Sequence, residues 1–190
     1  MNNKLAVIFP GIGYHKDKPL LYYSAKLAQR SGYQIIHITF QDMPQKIRGD
    51  ADMMHAAAEL ACAQAEQQLE TVRWAAYDRI LLIGKSIGTI AAARFAAEHP
   101  IAAAQIRYTP LHAAFTFAPA LSGSCIAFLG SADPWSDAEE IKRDAAVQQI
   151  PLYLYPDCNH SLECGDVVRD IESLREIMQI TSDFIRDTSS

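Results

Sequence analysis

Ser86 is the residue whose surroundings most clearly suggest chemistry. It stands in the segment GKSIG, which follows an apolar run at residues 80–83 and precedes an alanine-rich stretch with helical spacing. In a phosphate-binding P-loop, Gly-Lys-Ser closes a loop whose backbone N–H groups surround a phosphate. In a Gly-x-Ser-x-Gly turn, the serine is exposed between a strand and a helix as a nucleophile. The two motifs assign different chemistry to the same hydroxyl group.

The spacing of the flanking residues excludes the P-loop. That motif needs a glycine where this chain has Arg79, and the four residues that follow, ILLI, are typical of a buried strand. A dinucleotide-binding Gly-x-Gly-x-x-Gly at Gly11 and Gly13 fails in the same way, because Lys16 stands where its third glycine should be. The nucleophile turn is the motif that agrees with the predicted strand and helix around it.

Two later segments supply partners for a nucleophilic serine. GSADPW, with Asp133, follows the apolar run 125–129, and PDCNHS, with His160, follows the run 152–155. Serine, then aspartate, then histidine is the chain order expected for a triad on a sheet of this kind. The imidazole would accept the serine proton, and the carboxylate would orient it and raise its pKa above about 6.5. Asp137 is an alternative carboxylate.

The elements that must position these residues alternate along the chain. We predict strands at residues 5–9, 34–40, 80–83, 105–108, 125–129 and 152–155, and helices at 19–31, 51–74, 86–98, 137–148 and 166–185. A fourth strand at 113–117 is the alternative, but it leaves too few residues for a parallel crossover, so we expect a short helical turn at 111–115. The alternation predicts an α/β fold: a three-layer sandwich with a mostly parallel six-stranded sheet and helices on both faces. The site should lie at the carboxyl ends of the strands.

With GKSIG, GSADPW and NHS in these places, the sequence resembles the α/β-hydrolase family over nearly its whole length. The resemblance implies one domain over residues 1–190, a small member that starts at the family's third strand and has no lid. It implies Ser86 as nucleophile, His160 as base and Asp133 as its orienter, with an oxyanion hole from the backbone N–H groups of Ile12 and Ile87. The dienelactone-hydrolase-like branch is similar in size but usually carries cysteine where this chain has Ser86.

The implied function is hydrolysis of an ester or thioester through an acyl-enzyme, without a cofactor. The crossover at residues 109–124 is short, so we expect an open, shallow pocket that favours small acyl groups. Acyl transfer to an acceptor other than water, and a non-catalytic binding module on the same fold, are the alternatives. A reaction with serine-directed probes would argue against the binding module.

Several further residues are candidate substrate contacts. They lie in the loops after the first, third and fifth strands: Tyr14, His15, Lys85 and Trp135. Lys85 would favour an anionic substrate unless it is packed or paired with a carboxylate. His112 lies in the crossover and could face the site. The apolar stripe of the second helix, which includes Met54, is predicted to be core.

Composition limits the remaining classes of function. The chain has 190 residues, a net charge of −5 and no basic run, which argues against nucleic acid and anionic membranes as partners. The first apolar run has only five residues, too few for a signal peptide or a membrane span, so we expect a cytoplasmic protein with reduced thiols. Cys158 and Cys164 flank His160, but their spacing matches no common zinc site, and we expect no metal. The oligomeric state is left open.

Overall fold

The computed structural model describes residues 3–119 and 123–188. Six strands are present in this part of the chain: β1 Lys4–Phe9, β2 Tyr33–His37, β3 Arg79–Lys85, β4 Ala103–Tyr108, β5 Cys125–Gly130 and β6 Leu152–Tyr155. Five α-helices alternate with them: α1 Pro19–Arg30, α2 Ala51–Leu69, α3 Ile87–Glu98, α4 Ala138–Val147 and α5 Val167–Asp187. Two short 3₁₀ helices cover Trp74–Ala76 and His112–Thr116.

The strands form one sheet in the order β2-β1-β3-β4-β5-β6, and every neighbouring pair is parallel. The chain first moves outward from β1 to β2, then crosses back over β1 to β3 and continues in the opposite direction. This reversal leaves a crevice at the carboxyl ends of β1 and β3, which is where ligands bind in open sheets of this kind. The predicted α/β fold with a six-stranded sheet is confirmed.

Helices cover both faces of the sheet because successive strand side chains point to opposite faces. In β1, Leu5 and Val7 join the core beneath α2 and α3, whereas Ala6 and Ile8 join the core beneath α1 and α5. Helix α4 covers the far end of the α2–α3 face, where Ile141 packs near β5. None of the helices in the described residues is both long enough and apolar enough to cross a membrane.

Two predicted elements extend three or more residues beyond the observed ends. The second strand was expected at 34–40 but ends at His37, because the side-chain amides of Gln64 and Gln68 in α2 take over the backbone hydrogen bonds of Thr39 and Gln41. The second helix was expected to reach residue 74 but ends at Leu69. Side-chain pairing across elements, which local sequence patterns do not report, sets the end of the strand.

The choice of the fourth strand is confirmed, since β4 lies at Ala103–Tyr108 and a 3₁₀ helix occupies the rejected position. Buried Arg107 ties this helix to the sheet: its guanidinium donates to the carbonyl oxygens of Ala114 and Phe117 at 3.1 and 3.3 Å. The crossover that we expected to be free of a lid, 109–124, includes residues 120–122, which lie outside the described residues. Its described part forms this 3₁₀ helix and short loops.

Candidate active site

Ser86 occupies a strained turn between the end of β3 and the start of α3. Its φ of 55° and ψ of −123° place a non-glycine residue in a sparsely populated region. Hydrogen bonds hold the turn there: Ser86 N–H donates to the Tyr108 carbonyl at 3.0 Å, and Thr89 donates to the Ser86 carbonyl through N–H at 2.8 Å and Oγ1 at 2.6 Å. The turn projects the Ser86 hydroxyl into the crevice.

Gly88 allows the first turn of α3 to sit directly on the end of β1. A Cβ atom at Gly88 would lie 2.3 Å from the Phe9 carbonyl oxygen and 2.4 Å from that of Pro10. Only a residue without a side chain permits this approach. The contact brings the loop after β1 beside the nucleophile, so that a Cβ at Gly11 would lie 3.3 Å from Ser86 Cβ.

The side chains of Ser86, His160 and Asp133 form a continuous chain of hydrogen bonds. His160 Nδ1 lies 2.7 and 2.9 Å from the two carboxylate oxygens of Asp133, and Nε2 lies 2.7 Å from Ser86 Oγ. An ionised carboxylate only accepts hydrogen bonds, so the imidazole proton belongs on Nδ1. The Nε2 lone pair therefore faces the Ser86 hydroxyl, as proton removal from serine requires.

The loops that carry Asp133 and His160 are tied to each other as well as to the sheet. A Cβ at Gly130 would lie 2.1 Å from the Cys158 carbonyl oxygen, which also accepts a 3.0 Å hydrogen bond from Ala132 N–H. Asp157 N–H donates to Ser131 Oγ at 2.8 Å. These contacts fix the separation of the two loops, and with it the distance between the carboxylate and the imidazole.

The backbone N–H groups of Ile12 and Ile87 are the predicted oxyanion hole. Both residues line the pocket beside Ser86, one from the loop after β1 and one from the first turn of α3. In the turns and loops of residues 3–119 and 123–188, neither amide donates a hydrogen bond to a backbone carbonyl. The start of α3 also contributes the positive end of its dipole. The arrangement can stabilise negative charge on an oxygen bound between these two amides.

The pocket above Ser86 has a volume of about 270 Å³, and most of its wall is apolar. Trp135 packs beside the base, with its ring 5.6 Å from the His160 ring. Met54 lines this pocket, so its assignment to the core alone was wrong. Ile47, Leu111 and Ser161 also line it, and nothing in local spacing marked them, because they come from loops that only the fold brings together.

Lys85 is fully buried beside the nucleophile, and its Nζ has no hydrogen-bond acceptor among the described residues. The ammonium lies 5.0 Å from the centre of the Tyr14 ring, a cation–π distance. Burial lowers the pKa of Lys85 from 10.5 to about 7, although the nearby Asp133 carboxylate opposes this change. Tyr14 and Lys85 both line the pocket, with Tyr14 fixed by a 3.1 Å hydrogen bond from Leu20 N–H to its hydroxyl.

The pKa of His160 differs from our expectation. We expected Asp133 to raise it, but the pKa lies below its ordinary value of 6.5. Burial of the imidazole is the largest cause, and the charge of Lys85 adds to it, while the hydrogen bond to Asp133 works in the other direction. The surroundings therefore favour the neutral form of this imidazole at neutral pH.

The other candidate residues lie away from this pocket. His15 is exposed beside Asp17 and lines a separate small cavity behind the loop after β1. His112 is exposed and pairs with Asp144 at 2.6 Å. Asp137 caps α4, accepting hydrogen bonds from the N–H groups of its first turn. Within the described residues, no group of three His, Cys, Asp or Glu side chains is arranged to hold a metal ion.

Comparison with known proteins agrees with this geometry. Residues 3–186 match the family model described as an alpha/beta hydrolase domain. No curated protein matches the sequence.

Solved structures with the same architecture come from bacteria and archaea. An alpha-beta serine hydrolase homologue from Coxiella burnetii is 17% identical, with a TM-score of 0.66 over 94% of this chain and 84% of that one. An a/b serine hydrolase without lid from Xanthomonas campestris is 17% identical, with a TM-score of 0.63 over 97% and 81% of the two chains. An esterase from Pyrococcus furiosus is 14% identical, with a TM-score of 0.67 over 98% and 83%. At these identities the likeness shows the fold.

Proposed function

Because the chain belongs to the α/β-hydrolase family, we propose that it is a serine hydrolase that cleaves an ester or thioester of a small acyl group through an acyl-enzyme. The observation that carries this proposal is the hydrogen-bond chain from Asp133 through His160 to Ser86, with contacts of 2.7 Å at both ring nitrogens. A serine that merely began a helix would need neither a base nor a carboxylate behind that base.

The proposed reaction follows from the positions of these atoms. Ser86 Oγ attacks the acyl carbon while its proton passes to His160 Nε2, and the backbone N–H groups of Ile12 and Ile87 bind the oxyanion. The tetrahedral adduct then expels the alcohol or thiol, which takes the proton from Nε2, and the acyl group stays on Ser86. Water repeats the sequence, releases the acid and restores the serine.

The pocket supports a small, largely apolar acyl group. Its volume of about 270 Å³ lies below the range of most drug-sized ligand sites. We assign Tyr14 and Trp135 to its walls and buried Lys85 to the region beneath Tyr14. His15 has no place in this proposal, because it lies outside the pocket. The proposed partner is a small-molecule substrate, and the four free cysteines support a reducing compartment such as the cytoplasm.

A fluorophosphonate probe combined with an ester and thioester screen tests the proposal. The probe should label Ser86 in folded protein, and Ser86→Ala should abolish both labelling and turnover while leaving stability nearly unchanged. Labelling at another residue, or only after denaturation, would contradict the assignment. Faster acyl release on addition of alcohols or amines would indicate acyl transfer, and absence of labelling would favour a binding module.

A further inference from the structure

A second cavity opens beside the proposed catalytic pocket, between the first turns of α1 and α5. We call it the α1–α5 groove. Its volume is about 350 Å³. The apolar side chains that line it include Pro19, Leu20, Leu162, Val167, Ile171 and Leu174.

The groove adjoins the catalytic pocket. Tyr14 and Ser161 line both cavities, so the two meet across these side chains. Ser161 directly follows the base His160 in the chain. A molecule bound at Ser86 that extends past His160 and Tyr14 would reach the groove.

Two apolar side chains that line the groove are open to solvent. Val167 is 72% exposed and Ile171 is 62% exposed, one turn apart on the first part of α5. Exposed apolar side chains grouped beside a cavity are typical of a binding surface. Their position at the mouth of the groove indicates that a hydrocarbon group covers them when the site is occupied.

Charge limits what that group can be. Glu163 and Asp170 are the ionisable side chains other than Tyr14 that line the groove, and the Asp170 carboxylate already accepts a 2.6 Å hydrogen bond from Cys164 N–H. With two carboxylates and no basic side chain in its lining, the groove disfavours an anionic ligand.

The direction of proton transfer decides which end of the ester occupies the α1–α5 groove. His160 returns its proton to the leaving oxygen or sulfur, so the leaving group must lie beside the imidazole. The groove starts at Ser161, next to that imidazole, whereas Ile47, Met54 and Leu111 line the catalytic pocket on the α2 side of Ser86. The small acyl group then belongs on the α2 side.

We propose that the α1–α5 groove binds an uncharged hydrocarbon chain on the alcohol or thiol portion of the substrate, and that Ile171 contributes to this specificity. This inference rests on the proposed hydrolase function. It names the substrate class as an ester of a small acid with a longer apolar alcohol or thiol.

The test measures kcat/KM for the acetate esters of ethanol, butanol, hexanol and octanol. In the wild-type protein, kcat/KM should rise with alcohol length, by up to about fourfold for each methylene that is fully buried. Ile171→Glu places a charge at the groove and should flatten this rise, with a loss of about tenfold on octyl acetate. The loss should be smallest on ethyl acetate, which has the shortest alcohol of the series.

Val168→Glu is the matched control. Val168 is 65% exposed on the same turn of α5 but does not line the groove, so this variant adds the same charge and should keep the wild-type rise. In a p-nitrophenyl ester series with acyl chains of increasing length, Ile171→Glu should leave the dependence of kcat/KM on acyl length unchanged, because the leaving group is the same in every ester. If the loss follows the acyl chain instead, the assignment to the leaving group is wrong.

The remaining outcomes distinguish failure of the groove proposal from failure of the hydrolase proposal. A flat alcohol series on an active wild-type protein overturns the groove proposal and leaves the hydrolase function intact. Absence of both ester turnover and Ser86 labelling overturns both proposals. Analytical ultracentrifugation tests whether the wild-type protein self-associates. If it does and Ile171→Glu abolishes the association, the exposed side chains form a contact between copies, and the substrate proposal fails.

Discussion

The ammonium group of Lys85 lies 5.0 Å from the centre of the Tyr14 ring and is sealed from solvent in that position. A cation–π contact of this kind offsets only part of the free energy needed to bury a charge. We therefore predict that Lys85→Met raises the free energy of unfolding, on the order of a few kcal/mol at pH 7 and below. Chemical denaturation of both proteins measures the difference.

The difference in the free energy of unfolding between Lys85→Met and the wild-type protein should depend on pH with a defined sign. The pKa of Lys85 is about 7 in the folded protein and 10.5 in the unfolded chain, so the unfolded chain holds more protons between these values. The advantage of the Lys85→Met variant should be full below pH 7 and should shrink as pH rises toward 10.5. Lys18→Met is the control, because exposed Lys18 also lies near the Tyr14 ring, at 5.7 Å. An equal gain in the free energy of unfolding for Lys18→Met would contradict the conclusion that burial of the Lys85 charge lowers stability.

The pH profile of kcat/KM should report His160. Because burial lowers the pKa of His160, activity should be full at neutral pH and should fall through a single ionisation with a midpoint below 6.5. Lys85→Met should move this midpoint upward, since the Lys85 charge helps to lower the pKa of His160. A midpoint above 6.5 in the wild-type protein would contradict the burial argument.

Asp133→Asn should lower kcat by roughly three to four orders of magnitude, because the neutral amide no longer holds the imidazole in the required tautomer. Asp137→Asn is the matched control: Asp137 caps α4, and asparagine caps helices about as well as aspartate, so activity and stability should both persist. The comparison of the two variants by steady-state kinetics decides between the two carboxylates. Near-normal turnover by Asp133→Asn would exclude Asp133 as the orienting group.

Gly88→Ala should destabilise the protein by about 1–3 kcal/mol or more, because the added Cβ would lie within 2.4 Å of two carbonyl oxygens at the end of β1. Gly13→Ala should change stability little, since a Cβ there meets no atom within 4 Å. Thermal and denaturant unfolding of the pair tests the contact between α3 and β1. Slower fluorophosphonate labelling of Ser86 in Gly88→Ala would show that this contact also positions the nucleophile.

Local patterns in the sequence were sufficient to predict the framework of this protein. Buried parallel strands are continuous apolar runs, as at 80–83, and the loops that follow them carry the polar residues. The serine, aspartate and histidine therefore stood out by their order after the third, fifth and sixth strands. The prediction of the fourth strand at 105–108 was also correct, because the minimum length of a parallel crossover excludes a strand at 113–117.

The tertiary structure decided what depends on packing between distant segments. The side chain of Lys85 was ambiguous in sequence, and only the layers above β3 show that it is buried with no hydrogen-bond partner in the part of the chain that the structure describes. The pKa of His160 is lowered because desolvation outweighs its bond to Asp133, and desolvation depends on how many elements surround the ring. The α1–α5 groove joins residues about 150 positions apart, so its existence depends on contacts across the fold that no local period in the chain encodes.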